Sequence, residues 1–120
     1  MDLNRMIEHL RAHPEHEKIG MIASHLGIVR GISSSGRAVS GIEVVYDHKI
    51  IDDIIMDIKK LKGIIEVIVD INEGHLEVGD QILTVAVAGD LRENVFPALI
   101  ETVNRLKKEA SQKKERFSSS

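Results

Sequence analysis

Two basic residues of the last predicted helix, Arg92 and Lys107, lie where basic residues are unexpected. On a helical wheel at about 100° per residue, residues 91–110 have a broad apolar arc, with Arg92 inside it and Lys107 at its border. Lys108 lies on the polar side. A partly desolvated lysine loses its proton more readily, so it can act as a nucleophile or a proton acceptor. The alternative is that both side chains follow the apolar edge and keep their charged ends in water.

The six histidines favour a metal site less strongly than their number suggests. Three of them are close together in "HLRAHPEH", but Pro14 interrupts the helix that would align them as zinc ligands. His25 lies within an apolar segment, where a hydrogen-bonded, partly buried ring is a simpler interpretation than a catalytic one. We therefore predict no metal site and no other cofactor.

Two polar segments offer weaker candidates. The aspartates of "DHKIIDDIIMDIKK" mostly oppose a stripe of isoleucines, which is typical of a solvated helix face rather than of a carboxylate site. The segment "GISSSGR" has the composition of a phosphate-binding loop but lacks the Gly-Lys-Ser/Thr ending of a P-loop. We interpret it as a mobile loop in which Arg37 can close over a bound anion.

Composition and charge limit the possible functions. The 120 residues suit one domain, and the lack of cysteine removes disulfides and thiolate chemistry. Six basic side chains fall within residues 105–116, although the net charge of the whole chain is −3. The remaining chain is therefore acidic, which argues against nucleic-acid binding. No segment approaches the roughly 18 apolar residues of a membrane span, so we expect a cytoplasmic protein with no membrane partner.

The predicted elements follow the order α-β-β-α-β-β-α. Asp90 is the expected N-cap of the last helix, and Pro97 predicts a kink or a late start of that helix. Paired strands with helices between them indicate an α+β domain over residues 1–110, with a mostly antiparallel sheet and helices on one face. We interpret residues 111–120 as a charged tail. The elements lie, in chain order, within residues 3–13, 19–29, 39–46, 48–62, 64–71, 81–89 and 91–110.

The order and spacing of several motifs resemble the large, catalytic subunit of molybdopterin synthase. The motifs are "LGIVRG" at a predicted strand end, then "GHLEVGDQILTVAVAGDLRENVFPALIETVNRLKKE", and "KKE" near the C-terminus. The resemblance extends over about residues 19–115. It implies an α/β hammerhead fold and a homodimer within a heterotetramer.

The resemblance implies a sulfurtransferase of molybdenum cofactor biosynthesis. The sulfur donor would be the C-terminal thiocarboxylate of a small ubiquitin-like, β-grasp subunit that ends in Gly-Gly. The acceptor would be cyclic pyranopterin monophosphate, a pterin phosphate.

The family motifs assign roles to four positions. Arg30 and Arg92 match arginines that would bind the substrate's oxyanions, for which the planar guanidinium is well suited. Lys107 matches the main catalytic lysine, and either Lys113 or Lys114 matches its partner. An acyl sulfur donor calls for such a base or an uncharged amine.

The sequence also departs from the family pattern. Leu91 occupies the position of a usual histidine, and "EASQ" at residues 109–112 replaces a usual proline and aromatic residues. An alternative function is therefore a non-catalytic dimeric binding module on the same scaffold.

Overall fold

The computed structural model describes residues 2–118 and contains three α-helices and six strands within them. A 3₁₀ turn (His16–Lys18) follows the first helix, and a π-helical turn (Leu106–Ala110) joins the last helix to the last strand. No helix within residues 2–118 is both long and apolar enough to cross a membrane. The elements are α1 (Leu3–Arg11), β1 (Met21–Ile28), β2 (Val39–Tyr46), α2 (His48–Lys59), β3 (Ile64–Ile71), β4 (Gly74–Glu77), β5 (Gln81–Gly89), α3 (Arg92–Arg105) and β6 (Ser111–Phe117).

The strands form two three-stranded sheets. The first has the order β1-β5-β3 and the second the order β4-β2-β6. All of these neighbouring strands pair antiparallel. The predicted α+β class with mostly antiparallel strands is therefore confirmed.

Strand β5 is apolar on both faces, which explains why helices cover both sides of the first sheet. Ala86 and Ala88 share one buried cluster with Met6 and Leu10 of α1. The alternating valines, such as Val87, belong to the main core with residues of α2 and α3. Since successive strand residues point to opposite faces, α1 lies across the sheet from the other two helices. The prediction that the helices pack on one face of the sheet holds for α2 and α3 but is wrong for α1.

Residues 111–117 form a strand where composition suggests only a charged tail. Strand β6 pairs with β2 from Tyr46 opposite Ser111 to Val39 opposite Phe117. The strand is held chiefly by backbone hydrogen bonds, to which a high charge content is no obstacle at a sheet edge. Composition alone therefore could not reveal it.

The start of α3 also differs from the prediction. Leu91 is the N-cap residue and has no capping side chain, while Asp90 lies one position earlier. The Asp90 carboxylate accepts hydrogen bonds from the Leu91 N–H at 2.6 Å and from Asn94 Nδ2 at 2.8 Å. The helix runs from Arg92 through Pro97, so the expected late start is wrong. Pro97 is on the exposed side, where water can hydrogen-bond the carbonyl that the proline leaves unpaired.

The pairing of β6 depends on a glycine in β2. The guanidinium of Arg116 lies over Gly41 and donates a hydrogen bond from Nη2 to the Leu76 carbonyl at 3.2 Å. A Cβ atom on Gly41 would be in contact with this guanidinium and only 2.6 Å from the Leu76 carbonyl oxygen.

We therefore predict that Gly41→Ala destabilises the protein by about 1–3 kcal/mol, as overpacking usually does. The free energy of unfolding from urea denaturation measures the effect. Gly31→Ala is the matched control, since its Cβ would come no closer than 3.6 Å to Val78. Equal stability of the two variants would contradict the proposed role of Gly41.

Candidate functional site

A cavity of about 530 Å³ opens between the end of β1, strands β2 and β6, and the π-helical turn. Seven aliphatic residues line its walls, among them Ile42, Ile82 and Leu83. Seven polar or charged side chains also line it: His25, Arg30, Tyr46, Lys107, Ser111, Lys113 and Glu115. The combination of apolar walls with a few polar groups is typical of small-molecule sites.

Three cations reach the cavity from three separate elements. Arg30 follows β1, Lys107 lies in the π-helical turn, and Lys113 lies in β6. Within residues 2–118, none of the three forms an ion pair. Glu115 is the one acidic residue that lines the cavity in this part of the chain. The cavity is therefore net positive and suited to an anionic ligand.

The π-helical turn sets the position of Lys107. The Ser111 N–H donates to the Leu106 carbonyl, and the Ser111 hydroxyl donates to the Lys107 carbonyl at 2.9 Å. Leu106 is fully buried and anchors the turn in the core. A wheel drawn at α-helical spacing through residue 110 therefore misplaces residues after 105, since a π turn holds more residues.

Arg105 fixes the same turn from outside the cavity. Its Nη1 atom lies 2.9 Å from Asp57 Oδ2 on α2, and its Nε atom lies 2.8 Å from Glu109 Oε2. The hydrogen bond from Arg105 is the largest cause of a lowered pKa for the Glu109 carboxyl. Glu109 is thereby held as a carboxylate against Arg105 and not against Lys107.

Successive side chains of β6 lie on opposite faces of the sheet, so the two candidate partner lysines, Lys113 and Lys114, are on different faces. Ser111, Lys113 and Glu115 line the cavity, as every second residue of a strand should. Lys114 does not line it and pairs in register with Glu43, whereas Lys113 pairs with the buried Val44. The structure thus brings Lys113, and not Lys114, together with Lys107.

Two predicted arginines lie away from the cavity. The side chain of Arg92 is 79% exposed, with its Nε atom 3.3 Å from Glu93 Oε1. Arg37 stacks on Phe117, with 3.8 Å from its Cζ atom to the ring centroid. The Arg37 N–H also donates to the Ser33 hydroxyl at 3.1 Å, which closes the glycine- and serine-rich loop on itself. The anion-binding roles of both arginines stay predictions.

His25 is a cavity residue that the sequence did not single out as functional. Its Nε2 atom is buried and has no hydrogen-bond partner within residues 2–118, contrary to the expected hydrogen-bonded ring. Burial lowers the pKa of His25 below 6.5, and the nearby charge of Lys107 lowers it further. The pairing register of β1 shifts between Gly27 and Ile28, which allows both His25 and Arg30 to face the cavity. No sequence signal for this shift was evident.

Other histidines pair with glutamates. His48 Nε2 lies 2.6 Å from Glu73 Oε1, and His13 Nε2 lies 3.4 Å from Glu66 Oε2. No group of three or more metal-ligating side chains occurs among residues 2–118. The histidines of "HLRAHPEH" therefore form no such cluster in this part of the chain.

The family model described as MoaE protein matches residues 1–109. The chain belongs to the MoaE protein family. This membership confirms the resemblance inferred from the sequence motifs. The match ends just before β6, so the MoaE family model does not itself cover Lys113.

Solved structures show the same fold. Molybdopterin cofactor biosynthesis protein E from Burkholderia multivorans ATCC 17616 is 30% identical, with a TM-score of 0.77 over 98% of this chain and 84% of that one. The molybdopterin biosynthesis MoaE protein from Burkholderia ambifaria MC40-6 is 26% identical, with a TM-score of 0.76 over 100% and 85% of the two chains. A complex of subunits 1 and 2 of molybdopterin-converting factor from Helicobacter pylori 26695 contains a chain 14% identical, with a TM-score of 0.71 over 99% and 85%. No curated protein matches the chain.

Proposed function

We propose that this MoaE-family protein acts in molybdopterin biosynthesis as the large subunit of a molybdopterin synthase. The observation that carries the proposal is the cavity, in which Arg30, Lys107 and Lys113 converge without ion-pair partners within the described chain. Both proposed reactants are anions: a C-terminal thiocarboxylate and a pterin phosphate. The net positive cavity suits both of them.

The three cations would bind different groups of the two reactants. Arg30 would bind the phosphate of cyclic pyranopterin monophosphate, because a guanidinium can form two parallel hydrogen bonds to an oxyanion. Lys107 and Lys113 would bind the thiocarboxylate. As its sulfur bonds to a pterin carbon, that carbon releases an oxygen substituent, and the acyl carbon takes an oxygen atom from water and ends as an ordinary carboxylate. Negative charge then develops on the acyl oxygen, which a neighbouring ammonium stabilises.

The proposed partner is a small β-grasp subunit whose Gly-Gly terminus enters the cavity. Aliphatic residues such as Ile42 and Leu83 line the cavity, and a tail of two glycines brings no side chains that could clash with them. The Helicobacter pylori structure is a complex of two subunits that includes a chain of the same fold, which supports a two-subunit assembly here. We place the reaction in the cytoplasm.

We also propose that two copies of the chain form a homodimer within a heterotetramer. Phe96 and Ile100 of α3 are 50% and 60% exposed, and Leu91 is 57% exposed. Arg92, Phe96 and Ile100 are spaced by four residues and so form one stripe on the helix. Covering this stripe with a second copy would remove apolar surface from water and bring Arg92 into an interface.

Reconstitution tests the function. Purified chain would be mixed with a thiocarboxylated β-grasp subunit and cyclic pyranopterin monophosphate, and molybdopterin would be measured by fluorescence after oxidation. We expect product that depends on all three components. A small subunit with an ordinary C-terminal carboxylate is the control and should give none. Binding of the small subunit without turnover would instead support the non-catalytic binding module.

A further inference from the structure

The His25 imidazole is a polar group of the cavity that the proposed roles leave unused. It lines the same cavity as Lys107 and Arg30. Its Nε2 atom has no hydrogen-bond partner within residues 2–118, although buried polar atoms are nearly always paired. A ring that served only to fill the wall would be better replaced by an apolar side chain.

The backbone next to His25 leaves room for its nitrogen. A Cβ atom on Gly27 would lie 3.2 Å from His25 Nε2, closer than most side chains tolerate. Glycine at this position therefore admits the ring beside the strand. Gly27 itself lines the cavity, so the His25 nitrogen beside it lies at the cavity wall.

The charge state of His25 decides which ligand group it suits. Burial and the charge of Lys107 both lower its pKa, which favours the uncharged ring. A neutral imidazole offers one donor and one acceptor. The anionic groups of the reactants are better served by Arg30, Lys107 and Lys113, which leaves the uncharged ring system of the substrate for His25.

We propose that His25 contacts the substrate as an uncharged hydrogen-bonding group that recognises the polar edge of the heterocycle beside Lys107. This role rests on the proposed function. Protonation of His25 would place a fourth positive charge beside Arg30, Lys107 and Lys113. It would also remove the acceptor, so substrate recognition should weaken as His25 gains a proton.

The pH dependence of kcat/KM for molybdopterin formation tests the role. The titratable and charged groups that line the cavity are Arg30 after β1, Tyr46 on β2, Lys107 in the π-helical turn, and Lys113 and Glu115 on β6. Because burial and the charge of Lys107 lower the His25 pKa, we expect kcat/KM to be constant around neutral pH and to fall in more acidic solution, as His25 gains a proton. His25→Gln keeps a donor and an acceptor but cannot titrate, so this decrease should disappear.

Two further variants separate recognition from packing. His25→Phe keeps the ring volume without its nitrogens, and we expect it to lower kcat/KM by about tenfold to a hundredfold at pH 7.5, mainly through KM. Its melting temperature should stay within a few degrees of that of the wild type. Glu115→Gln removes the one carboxylate that lines the cavity within residues 2–118, and the decrease should persist in this variant.

The outcomes distinguish this inference from the proposed function. An active wild type with an unchanged His25→Phe variant, or with an acid decrease that survives His25→Gln, would overturn the role of His25 alone. A wild type that forms no molybdopterin with a thiocarboxylated partner would overturn the proposed function and the role of His25 with it.

Discussion

Replacing Lys107 with alanine is expected to lower kcat for sulfur transfer by about 10²- to 10⁴-fold, the range for loss of a positioned acid–base or charged group. Replacing its neighbour Lys108 should leave kcat nearly unchanged. Lys107 lines the cavity and Lys108 does not, although the two are adjacent in the π-helical turn. Lys108 is therefore a control matched to Lys107 in residue type and position along the chain, and both side chains are exposed. Single-turnover kinetics with saturating thiocarboxylated partner would measure the effect on the chemical step.

Lys107→Arg separates the two possible contributions of the lysine. Arginine keeps the positive charge but does not lose its proton in proteins, whereas lysine can. If Lys107 only stabilises negative charge, the arginine variant should retain much of the rate. If Lys107 must lose a proton, the arginine variant should be as slow as the alanine variant. A normal rate for Lys107→Ala, with the fold intact by circular dichroism, would contradict the assignment of Lys107 altogether.

Most helices and strands could be predicted from the sequence because the spacing of their apolar residues follows directly from which side of the element is buried. The isoleucine stripe of α2 is an example, with Ile51, Ile54 and Ile58 all buried. Strand β6 was missed because its residues are mostly polar and its pairing with β2 depends on backbone hydrogen bonds. The opposite position of α1 was missed because it depends on which face of β5 receives it, and β5 is apolar on both.

Residues of the candidate site were predictable where a short sequence motif identified their position. Arg30 follows a strand and Lys107 follows a helix, and both line the cavity. His25 was set aside because a single histidine in an apolar strand is ordinary, and the register shift that turns β1 at Gly27 has no evident sequence signal. Arg92 was placed on the apolar arc because a wheel reports only the direction of a side chain around the helix axis, whereas the start of α3 is exposed at Leu91, Arg92 and Glu93.

The choice between Lys113 and Lys114 gives the second large predicted effect. We expect Lys113→Ala to lower kcat/KM by at least about tenfold, the usual minimum for a charged group that contacts a reacting anion. Lys114→Ala should have little effect on the rate. Lys113 lines the cavity, and Lys114 is on the opposite face of β6, in register with Glu43. Both variants would be assayed with the same thiocarboxylated partner at pH 7.5.

The two variants are informative because counting residues along the sequence favours Lys114, whereas the structure favours Lys113. An ungapped count from Lys107 reaches Lys114, whereas a one-residue deletion within residues 109–112 reaches Lys113. Side chains alternate strictly along a strand, so a one-residue difference in register moves a lysine from one face to the other. Loss of activity in Lys114→Ala with normal activity in Lys113→Ala would mean that β6 pairs with β2 one residue out of the present register. Ser111 and Glu115 would then face away from the cavity as well, and the hydrogen bond from Ser111 that positions Lys107 could not form as it does here.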